Sequence, residues 1–201
     1  MKNLFTILVM VLLTFLAACT TAQHTDGVQV SSGQAVDTSH IAVHASWPKR
    51  YTSLTQLIEA SDLIVLGIVK EGDSGRDSKG PQDPGIVYTD YNLHVLKFLK
   101  DKNGRNKPQN LKLHHTGGIL EGVTYEISQH PLYQHNERVV LFLRQATPDI
   151  VVTLGPTSRF SIKNDLVKVN SPVGMQLPKD ISEKKFIGMI EEAVEKNEYR
   201  R

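Results

Sequence analysis

Leu63-Ile64-Val65-Leu66-Gly67-Ile68-Val69 decides the fold class. The run is nearly all apolar, rich in β-branched residues and too short for a buried helix, so it reads as a core strand. Gly67 inside it implies a bulge or a sharp bend. On its N-terminal side, Ser53-Leu54-Thr55-Gln56 has the form of a helix capping box. Leu54, Leu57 and Ile58 fall on one helical face, which predicts a short helix ending near Ser61-Asp62. On its C-terminal side, Glu71 to Gly85 contains four glycines, two prolines and six charged residues. That composition predicts an exposed loop.

Beyond it, Ile86 to Leu99 reads as one long strand. Tyr91, Leu93 and Val95 keep one phase, while Leu96 and Phe98 keep the other. A strand changes phase by gaining one residue, so a bulge is expected here. Leu111 and Leu113 mark a further strand, ended by Gly117-Gly118. Val123, Tyr125 and Ile127 alternate, and Val139 to Leu143 reads as core. Thr147-Pro148-Asp149 and Lys163-Asn164-Asp165 lie between apolar runs and predict two hairpins. Asp180-Ile181-Ser182-Glu183 is a second capping pattern. Phe186, Ile187, Ile190, Ala193 and Val194 then form an apolar stripe at helical spacing. The expectation is a mainly β protein: a small antiparallel barrel of five or six strands, with a short N-terminal helix and a C-terminal amphipathic helix that covers one face or one open end. The bulge and Gly67 favour a barrel over a sandwich, because closure needs bends.

The N-terminus has a different character. Lys2 precedes an apolar run from Leu4 to Phe15, and Leu16-Ala17-Ala18-Cys19 closes it. This is the layout of a secretory signal. A spanning helix needs about 20 apolar residues, and the polar Thr20-Thr21-Ala22-Gln23-His24 arrives too early. The four residues at 16–19 resemble the lipobox of bacterial lipoproteins. The resemblance implies cleavage before Cys19 and a diacylglycerol on its sulfur. Cys19 is the only cysteine, so no disulfide can form within one chain. Residues 1–18 are thus expected to be the signal, 19–46 a flexible tether, and 47–201 one domain beginning near Trp47. A stretch like 20–46, of about 27 residues, spans about 30 Å as a random coil. Val28, Val30, Val36, Ile41 and Val43 within it could add a short strand, but no period persists. The implied location is the extracytoplasmic face of a membrane, held by lipid. Thr20 stands where inner-membrane lipoproteins carry aspartate, which permits an outer membrane if the cell has one.

Several stretches together resemble a family of uncharacterised extracytoplasmic bacterial proteins. They are Ala60 to Val69, Tyr91 to Lys100, Gly117-Gly118, Pro131 to Leu143 and Gly155 to Val167. The sequence departs from the family at Asp101 and Asn136, where glycine is usual. The arrangement is similar to oligonucleotide-binding (OB)-type barrels and to the netrin-like domain of tissue metalloproteinase inhibitors. Those inhibitors place a free N-terminal cysteine amine on zinc. Here that cysteine is expected to be acylated and distant, so their mechanism is not implied.

Composition narrows the function. A formal charge of +2, with Lys2 lost on cleavage, gives no field suited to nucleic acid. Aromatic content of 6% disfavours a carbohydrate platform. No Gly-x-Ser-x-Gly elbow, His-Glu-x-x-His or phosphate-cradling motif is present. No catalytic residue, cofactor or metal site is expected. Eight histidines are a mild excess. His114 and His115 are neighbours on a strand and must face opposite ways. His130 and His135 lie close together near Glu137. The candidate binding residues are therefore His114, His130, His135 and Glu137. Two functions remain. One is a non-enzymatic, lipid-tethered module that binds a protein or small ligand through Glu71 to Gly85 and Gly117 to Asn136. The other is a metal-dependent hydrolase or metal-binding protein using the loop histidines.

Overall fold

Two long strands, β2 (Leu63–Asp77) and β3 (Ile86–Asp101), form the spine of the protein. They belong to a computed structural model that describes residues 39–44, 47, 49–78, 83, 85–104, 107–169 and 177–198. The expected signal segment, Cys19 and all of the expected tether except residues 39–44 lie outside these residues. The other elements are β1 (His40–Val43), α1 (Leu54–Ala60), β4 (Asn110–Thr116), β5 (Gly118–Leu120), β6 (Val123–Ile127), β7 (Glu137–Gln145), β8 (Ile150–Thr153), a 3-10 turn (Pro156–Ser158), β9 (Arg159–Lys163), β10 (Leu166–Val169) and α2 (Glu183–Glu198). The chain is mainly β with two helices.

The larger sheet runs β10-β9-β7-β2-β3-β4-β8, and β8 pairs again with β7. Strands β7, β2, β3, β4 and β8 therefore close into a ring. The expected all-antiparallel arrangement needs one correction, since β4 and β8 pair in parallel. A closed ring of five strands cannot alternate direction throughout: β8 runs antiparallel to β7, and successive antiparallel pairings through β2 and β3 leave β4 pointing the same way as β8. A second sheet, β1-β6-β5, is small. In it His40–Val43 pairs with β6, so the end of the stretch read as tether is hydrogen-bonded to a strand.

Alternation divides the apolar residues into two cores. Leu63, Val65 and Val69 join Leu93, Val95, Leu111, Leu113, Val139, Leu141, Leu143 and Val151 within the ring. The opposite faces of β2 and β7 carry Ile64, Leu66, Val140 and Phe142. These meet Phe160 of β9, Leu57 and Ile58 of α1, and Phe186, Ile190 and Val194 of α2. Three rings, Phe142, Phe160 and Phe186, pack in series with centroids 5.5 and 4.9 Å apart. Ser53 caps α1 by accepting from the Gln56 amide, and Ser182 does the same for the Lys185 amide at α2.

The phase change in β3 is a pair of bulges. Leu66 faces Lys97 and Gly67 faces Val95, which leaves Leu96 unmatched; Leu99 is passed over in the same way. Gly67 sits at this bend because the β3 backbone comes very close: a Cβ there would lie 2.8 Å from the His94 carbonyl oxygen. The segment Glu71–Asp77 corrects the sequence reading. It is not loop but the outer half of β2, paired through Asp77 with Ile86. Its polar, glycine-rich composition hid this. The pairing is directed by the strongly patterned β3, whose Tyr88 ring fills the space that a side chain at Gly75 would need.

Candidate functional site

Strand β4 alternates cleanly, with Leu111, Leu113 and His115 turned to the core and Lys112 and His114 to the other face. His115 is thus carried into the ring by the same period that buries its leucines. Opposite it comes the segment after β6. A bridge from Ile127 to His130 starts a tight turn, and Gln129 (φ 71°) and Asn136 (φ 61°) bend the chain at either end. His130 and Tyr133 are thereby held against His115, with ring centroids 4.5 and 5.2 Å from it. Tyr91 of β3 lies edge-on to both His115 and Tyr133. Trp47 closes the group, edge-on to His130 at 5.4 Å. Gly155 (φ 110°) allows this, because a Cβ there would press on the indole at 3.1 Å.

An ion pair lies behind the rings. Arg159, the first residue of β9, is only 3% exposed. Its guanidinium donates to Glu137 Oε2 at 2.6 Å and to the carbonyl oxygens of Pro131 and Leu132. It also stacks 3.8 Å over the Tyr133 ring. Glu137 accepts further from the Ser161 hydroxyl and the Gln134 amide. This network fixes the 131–134 segment against β7 and β9.

Burial sets the charge state here. His115 and His130 are 2% and 3% exposed. Burial pushes His115 down to about 2, helped by the neighbouring His130 and Arg159. Burial pushes His130 down to about 4, with Arg159 adding to it. Burial also raises the phenols of Tyr91 and Tyr133. Both imidazoles are therefore neutral, with lone pairs available and protons excluded. The His130 backbone lies close enough to favour the His115 proton slightly, without reaching hydrogen-bond geometry.

Tyr91 and Tyr133 also line an open cleft of about 460 Å³. Lys70 to Ser74, Ile119, Leu132 and His135 line it with them. A second cleft, about 410 Å³, holds His114, Asp90, Tyr88 and Arg76.

The four sequence-derived candidates separate. His114 lies on the face of β4 opposite His115 and pairs with Asp90 at 2.7 Å. His135 is on the rim of the first cleft, 3.7 Å from the exposed Glu71. His130 and Glu137 enter the buried cluster, linked through Arg159. Sequence reasoning missed His115, Tyr133, Tyr91 and Arg159. For His115 a signal existed, since it shares the phase of Leu111 and Leu113. For Arg159 none did. Among the described residues no three His, Cys, Asp or Glu side chains are placed to hold one ion. No helix of the described residues is long and apolar enough to cross a membrane.

Comparison with known proteins adds no assignment: no family model matches the chain, and no curated protein matches it.

Proposed function

We propose that this protein is a lipid-anchored, extracytoplasmic binding module without catalytic activity. In this reading residues 1–18 are removed, acyl chains on Cys19 moor the chain, and the five-strand ring is an OB-like barrel that presents its cleft to a protein or small polar ligand. The anchor rests on Leu16-Ala17-Ala18-Cys19, and two acyl chains bind a bilayer durably where one does so only marginally. Five strands closed by one parallel pairing, with helices packed outside, support the OB-like reading.

One observation carries the binding role. The two segments that the sequence nominates as contact surfaces both line a single cleft, through Glu71 to Ser74 and through Ile119, Leu132, Tyr133 and His135. Tyr133 is one of the residues lining it, and its buried hydroxyl has no protein partner among the described residues. Clefts with a few convergent polar groups on a rigid scaffold are the usual form of a ligand site. The alternative of a metal-dependent hydrolase on His114, His130, His135 and Glu137 has no comparable support, because those side chains stand in three separate places.

Radiolabelled palmitate fed to cells making the protein tests the anchor. Label in the wild-type chain, and its loss with release to the soluble fraction in Cys19→Ser, is the expected result. An unlabelled or soluble wild-type chain would refute it. A fragment screen by NMR tests the cleft, with shifts expected at residues 70–74 and 132–135; hits confined to other surfaces would count against it.

A further inference from the structure

Strand β2 outruns one of its partners. β7 pairs with it only as far as Val69, opposite Glu137, whereas β3 stays with it to Asp77. From Glu71 to Gly75 the β7 side of β2 therefore has no neighbouring strand among the described residues. Each strand residue carries one N–H and one C=O, and an open edge is a template for another chain. A strand advances about 3.3 Å per residue, so these five residues offer about 16 Å of edge. The cleft lies along it, since Lys70 to Ser74 line that space in unbroken succession. Successive strand residues point to opposite faces, so an unbroken run in one lining means that the edge itself borders the cleft. The outer strands of the two sheets are less suited. β10 is covered at one end, where the Val167 amide donates to the Ile181 carbonyl oxygen, and all four residues of β1 are exposed, which leaves a partner's side chains little to pack on.

We propose that this edge of β2 takes up an extended segment of a partner protein by strand addition, a segment in which basic and apolar residues alternate. The proposal names the partner class of the cleft and rests on reading that cleft as a binding site. In strand addition the main chain supplies affinity and alternate side chains supply specificity. Charge argues for the basic residues. Asp73 lies directly opposite Asp90 on β3, and like charges so placed repel. Asp90 is answered on its far side by His114 at 2.7 Å and Lys112 at 3.6 Å. Asp73 is exposed and has no ion-pair partner among the described residues. Lys70, in the same lining, already donates to Asn136 Oδ1 at 2.7 Å. A lysine on an added strand would stand on the open side of Asp73 and answer it as Lys112 answers Asp90. The alternate residues of that strand fall on the face that carries Ser74 and Tyr91, where Leu132 and Tyr133 complete the lining and favour apolar side chains. An open edge must also be kept from pairing at random. The bulge at Lys70 and Glu71 and the carboxylates of Glu71 and Asp73 reject apolar and acidic strands. The same carboxylates admit a cationic one.

The test uses the full-length chain in detergent micelles and a fluorescein-labelled Lys-Val-Lys-Val-Lys-Val peptide, followed by anisotropy. Hydrogen exchange with mass spectrometry locates the contact. The expected result is saturable binding of one peptide per chain, with slowed amide exchange over residues 71–75. The same peptide N-methylated at alternate residues keeps its charge but loses edge hydrogen bonds, and should bind at least roughly 10-fold more weakly. A Glu-Val-Glu-Val-Glu-Val peptide should not bind. Asp73→Lys, at an exposed position, should fold as the wild type by circular dichroism and weaken the lysine peptide by up to roughly 10-fold. No binding, equal binding of the N-methylated peptide, protection at β1 or β10 instead, or undiminished affinity in Asp73→Lys would each overturn the proposal. If fragments still map to residues 70–74 and 132–135 while the peptide does not bind, the cleft stands and the added strand falls. If neither binds there, both fall.

Discussion

His115 and His130 make the folded state sensitive to acid. In the fold they sit near about 2 and about 4, whereas an unfolded histidine titrates near 6.5. Their folded values are depressed, so the stability they contribute is complete above pH 6.5. It is lost as pH falls from there toward the folded values. Each proton taken up on unfolding corresponds to a slope of about 1.4 kcal/mol per pH unit. Urea midpoints measured at pH 7 and pH 5 should therefore drop, and His130→Gln should flatten the drop. An equal fall in that variant would move the cause elsewhere. Glu137 is a sharper case. It is the only carboxylate that contacts the buried Arg159 guanidinium among the described residues. Removing one partner of a buried pair typically costs 3–5 kcal/mol. Glu137→Ala should lower stability by about that much, read as a lower urea midpoint at unchanged slope. Neutral behaviour would mean that solvent reaches Arg159.

Strand β3 matters most at the scale of elements, because it changes faces along its length. Val95 and Phe98 pack with the core of the ring, whereas Leu99, the second bulge residue, packs with the helices instead. The bend depends on backbone contact at Gly67. Gly67→Ala puts a methyl group 2.8 Å from the His94 carbonyl oxygen and 2.9 Å from Leu93 Cδ1. Overpacking of this kind costs about 1–3 kcal/mol, so thermal denaturation of Gly67→Ala should show a lowered midpoint. An unchanged midpoint would mean the bulge shifts freely. β3 also reaches α1: the Lys100 ammonium donates to the carbonyl oxygens of Ile58 and Ser61, at the helix end where a cation is favoured. The β9–β10 turn is closed by Asn164 and Asp165, both with positive φ, as a two-residue hairpin of this twist requires.

At the scale of the molecule, α2 is the cover for one side of the sheet. Phe186, Ile190 and Val194 shield Phe142 and Phe160. A chain ending at Ser182 should expose that face and aggregate or bind a hydrophobic dye, as seen by light scattering and dye fluorescence; a soluble, dye-silent truncation would show the sheet to be self-sufficient. Much of this architecture is legible in residue order. The period of two in β4, the unbroken apolar run of β7, the phase change in β3 and the stripe of α2 are local patterns, and burial reads local patterns directly. The segment Glu71–Asp77 was illegible because its strand character is lent by a partner strand. The same limit governs the site. Alternation along β4 already separates His114 from His115, yet nothing in sequence says which of the two meets His130. By itself the sequence determined a mainly β chain with two helices, and the phase change in β3, because those depend on neighbours within a few residues. Only the tertiary structure decided that His115, His130, Tyr133 and Arg159 share one buried end of the ring, because that depends on strands far apart in sequence closing on each other.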